Sequence, residues 1–146
     1  MQVGTIALLY HPSNGFLVGK RGKGCKNGAG YYAFPGGKRD DGETIYQCVR
    51  REVREETGYR ETDFNFLGFV DLYDEKKIDK VVFVYSLELS FLAKDPINVE
   101  PEKCEGWEWK QFFDLKKIYY SSDEQQRWIP WSILGMIDRK LWRRYY

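Results

Sequence analysis

The stretch that most constrains this chain is Gly36 to Tyr59, GGKRDDGETIYQCVRREVREETGY. Ile45, Cys48, Val49 and Val53 recur at helical spacing, which predicts a helix with one buried face. Thr44 followed three residues later by Gln47 fits a capping box, so the helix should start near Thr44. Gly58 suits the left-handed residue that ends a helix. Glu52, Glu55 and Glu56 then stand at i, i+3 and i+4, side by side on one face. Carboxylates so placed repel one another unless a cation joins them, and hard oxygen ligands suit Mg2+ or Mn2+. Arg50, Arg51 and Arg54 surround them and offset part of the charge.

Written as a pattern, the stretch runs Gly37, five residues, Glu43, seven residues, then Arg51-Glu52-Val53-Arg54-Glu55-Glu56-Thr57-Gly58-Tyr59. This resembles the signature of the Nudix hydrolases, the MutT-like family: G-x5-E-x7-R-E-U-x-E-E-x-G-U, with U a bulky apolar residue. Every fixed position is met, and Tyr59 stands where the family has an aliphatic residue. A merely solvated, charge-laced helix face does not account for Gly37, Glu43 and Gly58 falling at that spacing. The resemblance implies an α/β chain with the Nudix fold, an α/β/α sandwich around a mixed central sheet. It also implies that a carbonyl of the glycine turn, at Gly36 or Gly37, joins Glu52, Glu55 and Glu56 around the metal.

At 146 residues the chain is expected to be one domain, 1–146, long enough to bury a core. A net charge of +1 gives no global pull toward nucleic acid or an anionic membrane. Aromatic residues make up 17% of the chain, which suits a packed core or a flat ligand. Cys25, Cys48 and Cys104 share no metal-type spacing, and reduced thiols in a cytoplasmic protein are the simplest account. No charged-then-apolar leader opens the sequence, and no apolar run approaches the ~20 residues of a membrane span.

Val3–Tyr10 and Phe16–Lys20 read as strands joined by a turn at Pro12–Gly15. Arg21–Gly30, rich in glycine and lysine, reads either as a flexible loop or as a basic loop in which Lys20, Arg21, Lys23 or Lys26 neutralise a polyphosphate. Tyr31–Phe34 reads as a short strand feeding a Pro35-Gly36-Gly37 turn, where two glycines let the backbone approach a ligand closely. Lys38 opens the loop into the helix and is a further candidate for contacting substrate. Further strands are expected at Asp63–Tyr73, Ile78–Leu92 and Glu105–Lys110, the last with Trp107 and Trp109 on one face. Asp114–Lys117 reads as a short helix or turn, and a final helix should run from Ser121 or Ser122 to about Arg143. His11, the single histidine, precedes Pro12 in a turn and suggests a surface position. It leaves a Ser-His-Asp or Cys-His mechanism unframed and zinc without a ligand set.

The run Glu100-Pro101-Glu102-Lys103-Cys104-Glu105 before Trp107 is similar to one in the triphosphate-cleaving branch of the family. There an acid just upstream of the tryptophan joins the metal; the resemblance offers Glu102, with Glu105 second, and a charged loop is the plain alternative. Asp123-Glu124 followed by Trp128-Ile129-Pro130 resembles the base-reading stretch of the oxidised-purine triphosphatases, although helix capping explains the two acids equally well. Those triphosphatases carry a base-binding asparagine where this chain has Ala33, a departure from their pattern.

The expected reaction is attack by water on phosphorus, converting a nucleoside triphosphate to a monophosphate and pyrophosphate, with positioning and charge neutralisation dominating. Glu52, Glu55 and Glu56 would hold Mg2+ (or Mn2+), and either Glu52 or Glu55 would take the proton from water. Arg51 should hold a helix glutamate, and Glu43 should pin the loop or reach the metal through water. Phe34, Trp107 or Trp109 could stack on a base or simply pack. The alternatives keep the chemistry and change the substrate to a dinucleoside polyphosphate, a capped RNA end or a nucleotide sugar. From another class comes a non-catalytic nucleotide-binding regulator, which usually loses signature glutamates that this chain keeps. The protein is expected to act as a monomer or homodimer on a nucleotide, away from membranes.

Overall fold

The computed structural model describes residues 2–25, 29–74, 77–121 and 131–142. Its elements are β1 (Gln2–His11), β2 (Gly15–Arg21), β3 (Tyr32–Ala33), β4 (Gly36–Lys38), α1 (Ile45–Thr57), β5 (Asn65–Asp74), β6 (Lys77–Glu88), β7 (Cys104–Lys110), α2 (Phe112–Ser121) and α3 (Trp131–Met136). A π-helical segment, Ile137–Trp142, continues α3. The main sheet runs β3-β2-β1-β6-β5, with β4 added to β1 and β7 to β2. β1 and β6 are parallel and the other pairings antiparallel, so the sheet is mixed.

Alternation along the central strands sorts their side chains between two cores. Leu8, Val82 and Val84 meet Leu115, Ile133 and Ile137 on one face. Ala7, Leu9 and Leu87 meet Val49 and Val53 of α1 on the other. A strand covered on both faces needs a continuous apolar run, which Ile6–Tyr10 supplies. The result is helix, sheet, helix: the α/β/α arrangement.

The sheet forks where the site lies. β1 pairs with β2 only at the hairpin end, Tyr10 with Phe16 and His11 with Gly15. Beyond it β1 turns to β4, while β2 pairs with β3 and β7. The segment Tyr32–Lys38 bridges the fork, anchored midway where Ala7 N donates to Pro35 O at 2.8 Å.

Four sequence expectations are corrected. The glycine pair forms strand β4, with Gly36 opposite Ile6 and Gly37 opposite Thr5. A Cβ at Gly36 would stand 2.1 Å from Thr5 O, so only a glycine backbone admits this pairing. Residues 114–117 belong to a ten-residue helix, α2, because Phe112 and Leu115 dock in the core while Gln111 N is capped by Asp114 at 3.2 Å. Ser121 falls in α2 and so does not open the final helix; the other expected start, Ser122, lies outside the described residues, and helix is described again over Trp131–Met136. Asp123, Glu124, Trp128 and Arg143, the expected end of the final helix, lie outside the described residues, as does Lys26. His11 is buried: Nδ1 accepts from Ser13 N and Asn14 N at 3.1 and 3.2 Å, and Nε2 donates to Phe91 O at 3.1 Å. The ring closes its own turn and has no free nitrogen for chemistry.

Candidate active site

Helix α1 starts and stops as its sequence dictates. Thr44 Oγ1 accepts from Gln47 N at 3.0 Å, and Gln47 Oε1 returns the bond to Thr44 N at 2.9 Å. Gly58 ends the helix at φ 80°. Cys48, Val49 and Val53 are buried, and Cys48 Sγ lies 3.5 Å from Thr5 Oγ1, which holds the helix against β1. The opposite face carries the acids.

Arg51 is the hub of that face. Its Nε and Nη2 grip Glu43 as a fork, at 2.7 and 3.0 Å. Nη1 reaches Glu52 at 2.9 Å and Glu55 at 3.1 Å, and Nη2 also donates to Lys38 O at 3.0 Å. These contacts hold the guanidinium firmly charged, Glu43 foremost. The same hydrogen bond keeps the Glu43 carboxyl near 2, below its ordinary 4.5. Glu43 also accepts from Asp40 N at 3.0 Å, which pins the loop entering the helix.

Glu56 lies deeper. Its carboxylate accepts from Gly36 N at 2.9 Å. Burial pushes its carboxyl up to about 8 against that bond, with Glu52 and Glu100 adding repulsion. Burial also raises Glu52. Gly37 is the glycine that makes room, since a Cβ there would meet the Glu52 carboxylate at 2.5 Å. The donor set (clustered carboxylate oxygens beside a bare backbone) fits a hard divalent cation such as Mg2+. Among the described residues, however, no three acids converge tightly enough to form a ready-made metal cage.

Glu56 opens onto a small cleft of about 70 Å³ that is partly open to solvent. Lys20, Arg21 and Lys103 bring positive charge to its lining, and Glu100 adds a second carboxylate. Trp107 forms part of the wall, and its indole donates to Glu56 O at 3.1 Å, tying β7 to the end of α1.

A family model of the NUDIX domain matches residues 1–132. The chain belongs to the Nudix family. It is 31% identical over 146 residues to an oxidized purine nucleoside triphosphate hydrolase of Danio rerio, an alignment covering 97% of this chain and 83% of that one. Its structure resembles a MutT Nudix hydrolase from Burkholderia pseudomallei with a TM-score of 0.67 at 29% identity, covering 77% of this chain and 84% of that one. A MutT protein from Methanosarcina mazei Go1 shares the fold, with a TM-score of 0.70 at 20% identity over 94% and 91% of the two chains. The protein is a MutT-like Nudix hydrolase.

Against this Nudix site the sequence candidates divide. Glu56, Gly36, Lys20, Arg21, Phe34 and Trp107 line the cleft. Phe34 is also a core residue, only 8% exposed, so little of its ring is free for stacking. Glu52 and Glu55 are not among the residues lining the cleft; Arg51 binds both. Lys23, Lys38 and Glu102 are exposed and lie outside its lining. The acid that the loop before β7 contributes to the cleft is Glu100, rather than Glu102 or Glu105, which the resemblance offers. The backbone explains why. Lys103 N donates to Glu100 O at 2.9 Å, closing a turn with Pro101 at its second position. Glu102 is then at the outer corner, and Pro101 was the signal that could have placed it there.

Proposed function

We propose that this Nudix hydrolase cleaves nucleoside triphosphates to monophosphate and pyrophosphate with the help of Mg2+. The observation that carries the reading is one cleft lined by two carboxylates from separate elements, Glu56 and Glu100, together with the cations Lys20, Arg21 and Lys103. Acids alone would repel a polyphosphate, and cations alone would not hold a metal; the mixture suits both together. The identity to an oxidized purine nucleoside triphosphate hydrolase supports a triphosphate over other nucleotides.

Mg2+, held by Glu52, Glu55, Glu56 and Glu100 with a backbone carbonyl of Gly36 or Gly37, would supply Lewis-acid neutralisation of phosphate charge. Arg51 fixes Glu52 and Glu55 in place before substrate arrives, and the Gly36 amide does the same for Glu56. Glu52 or Glu55 accepts the proton of the attacking water. Lys20 and Arg21 neutralise the departing phosphates. Ala33 lines the cleft without a side-chain amide, so base selection falls to other residues, with Asp123 and Glu124 as the sequence candidates. Pyrophosphate and phosphate release should be measured with Mg2+ and with EDTA, over canonical and oxidised deoxynucleoside triphosphates, dinucleoside polyphosphates, sugar nucleotides and capped RNA. Mg2+-dependent pyrophosphate from a triphosphate is the expected result. Cleavage of capped RNA or a dinucleotide alone would reject the substrate assignment.

A further inference from the structure

Lys103 lines the cleft, and the run that contains it draws attention to its acids rather than to the lysine. Its Nζ stands 3.1 Å from Glu100 Oε2. The backbone beneath is fixed on two sides: Lys103 N donates to Glu100 O at 2.9 Å, and Lys103 O accepts from Gly22 N at 2.8 Å. Asn98 Nδ2 secures the same loop at Cys104 O, at 2.8 Å. A rigid loop therefore presents one ammonium, whose side chain is 64% exposed, to a carboxylate that is 26% exposed. A single-point bridge this open to water is weak and screened by salt, so it contributes little to the fold. A phosphate oxygen accepts the same charge-assisted hydrogen bond as a carboxylate, so an incoming polyphosphate can take the ammonium over.

We propose that Lys103 is a phosphate-binding residue that exchanges partners. In the free enzyme it is the counter-ion of Glu100. When a polyphosphate enters the cleft, its ammonium passes to a phosphate oxygen and leaves the Glu100 carboxylate free for the cation that accompanies the substrate. The proposal rests on the polyphosphate reading of the cleft and deepens it. It differs from the role of Arg51, which is held at once by Glu43, Glu52, Glu55 and the Lys38 carbonyl.

The test uses Lys103→Gln and Lys103→Arg in the full chain. Binding of inorganic tripolyphosphate in EDTA, followed by calorimetry, excludes any contribution from metal. Loss of one charge-assisted contact should weaken it ~10-fold in Lys103→Gln, with Lys103→Arg close to wild type. KM for the hydrolysed triphosphate should rise by a similar factor while kcat changes little, because the contact serves ground state and transition state alike. The thermal midpoint should stay at the wild-type value. Equal tripolyphosphate affinity in wild type and Lys103→Gln overturns the proposal, as does a wild type that binds no tripolyphosphate in EDTA. The two readings fail separately. Hydrolysis of triphosphates with unchanged tripolyphosphate binding in the variant rejects only Lys103, and a binding defect without triphosphate cleavage rejects only the substrate.

Discussion

Glu56 and Glu100 face one cleft but are held in different ways. Glu56 sits on a capped helix, its carboxylate fixed by a backbone amide, beside the Arg51 hub that ties Glu43, Glu52 and Glu55 together. Glu100 sits on a loop and has one solvent-exposed bridge, to Lys103. The helix side is set before any ligand arrives, because forked contacts to a planar guanidinium leave its partners few alternatives. The loop side is exchangeable, because a screened single bridge costs little to break. A hydrolase benefits from both, with rigid groups at the reacting centre and a replaceable counter-ion where the substrate's own charge must enter.

The largest expected effect tests the rigid side. Glu56→Gln or Glu55→Gln should lower turnover by several orders of magnitude, on the order of the 10²–10⁴ that a positioned catalytic group supplies or more. Circular dichroism should show the fold intact. Near-wild-type kcat in both variants would remove the α1 acids from the site. On the loop side, Glu100→Gln should lower kcat and Glu102→Gln should not, since Glu100 lines the cleft and Glu102 is exposed at the turn. The reverse order would return the role to Glu102.

A smaller effect should follow from Gly37→Ala. The added methyl would stand 2.5 Å from the Glu52 carboxylate, which must shift. Displacement of about 1 Å at a reacting centre costs roughly 10²-fold. Turnover should therefore fall by roughly that factor while nucleotide binding in EDTA is kept. An unaffected kcat would show that the Arg51 hub does not depend on a bare β4 backbone.

The same contrast explains what the sequence discloses. Helix α1 is written locally: the capping pair Thr44 and Gln47, the apolar spacing, the terminal Gly58 and the three acids all lie within one continuous stretch. The Nudix pattern adds Gly37, Glu43 and Arg51, and the structure supplies the reason for each: room for Glu52, a loop anchor and the hub. Glu100 is different. It meets Glu56 only because β7 adds to β2 across the fork of the sheet, a pairing set by tertiary packing rather than by any local period. His11 fails for a related reason. Its burial depends on Phe91, far along the chain, although the turn Pro12-Ser13-Asn14 supplies two of these three hydrogen bonds. Helix α2 is hard to see in the sequence beyond residues 114–117 because its cap, Gln111 with Asp114, departs from the usual residue types.

The smallest expected effect concerns acid. Glu43 is held near 2 by Arg51, against an ordinary 4.5, so its folded-state value is depressed. A depressed carboxyl contributes stability that is complete above the unfolded value and is lost as pH falls through the folded one. The window is therefore from above 4.5 down to about 2. Glu52 and Glu56 shift upward and act in the opposite sense, so the wild-type profile alone mixes the three. The useful quantity is the difference between wild type and Glu43→Gln in urea unfolding, in which those two largely cancel. It should be about 1 kcal/mol in favour of wild type at pH 6 and should vanish toward pH 2. Lys103→Gln should show no such difference at any pH in that range, because the Glu100 bridge is exposed and screened. A pH-dependent loss in Lys103→Gln equal to that of Glu43→Gln would mean that the loop side is as firmly built as the helix side, and the distinction between a fixed and an exchangeable charge would fall.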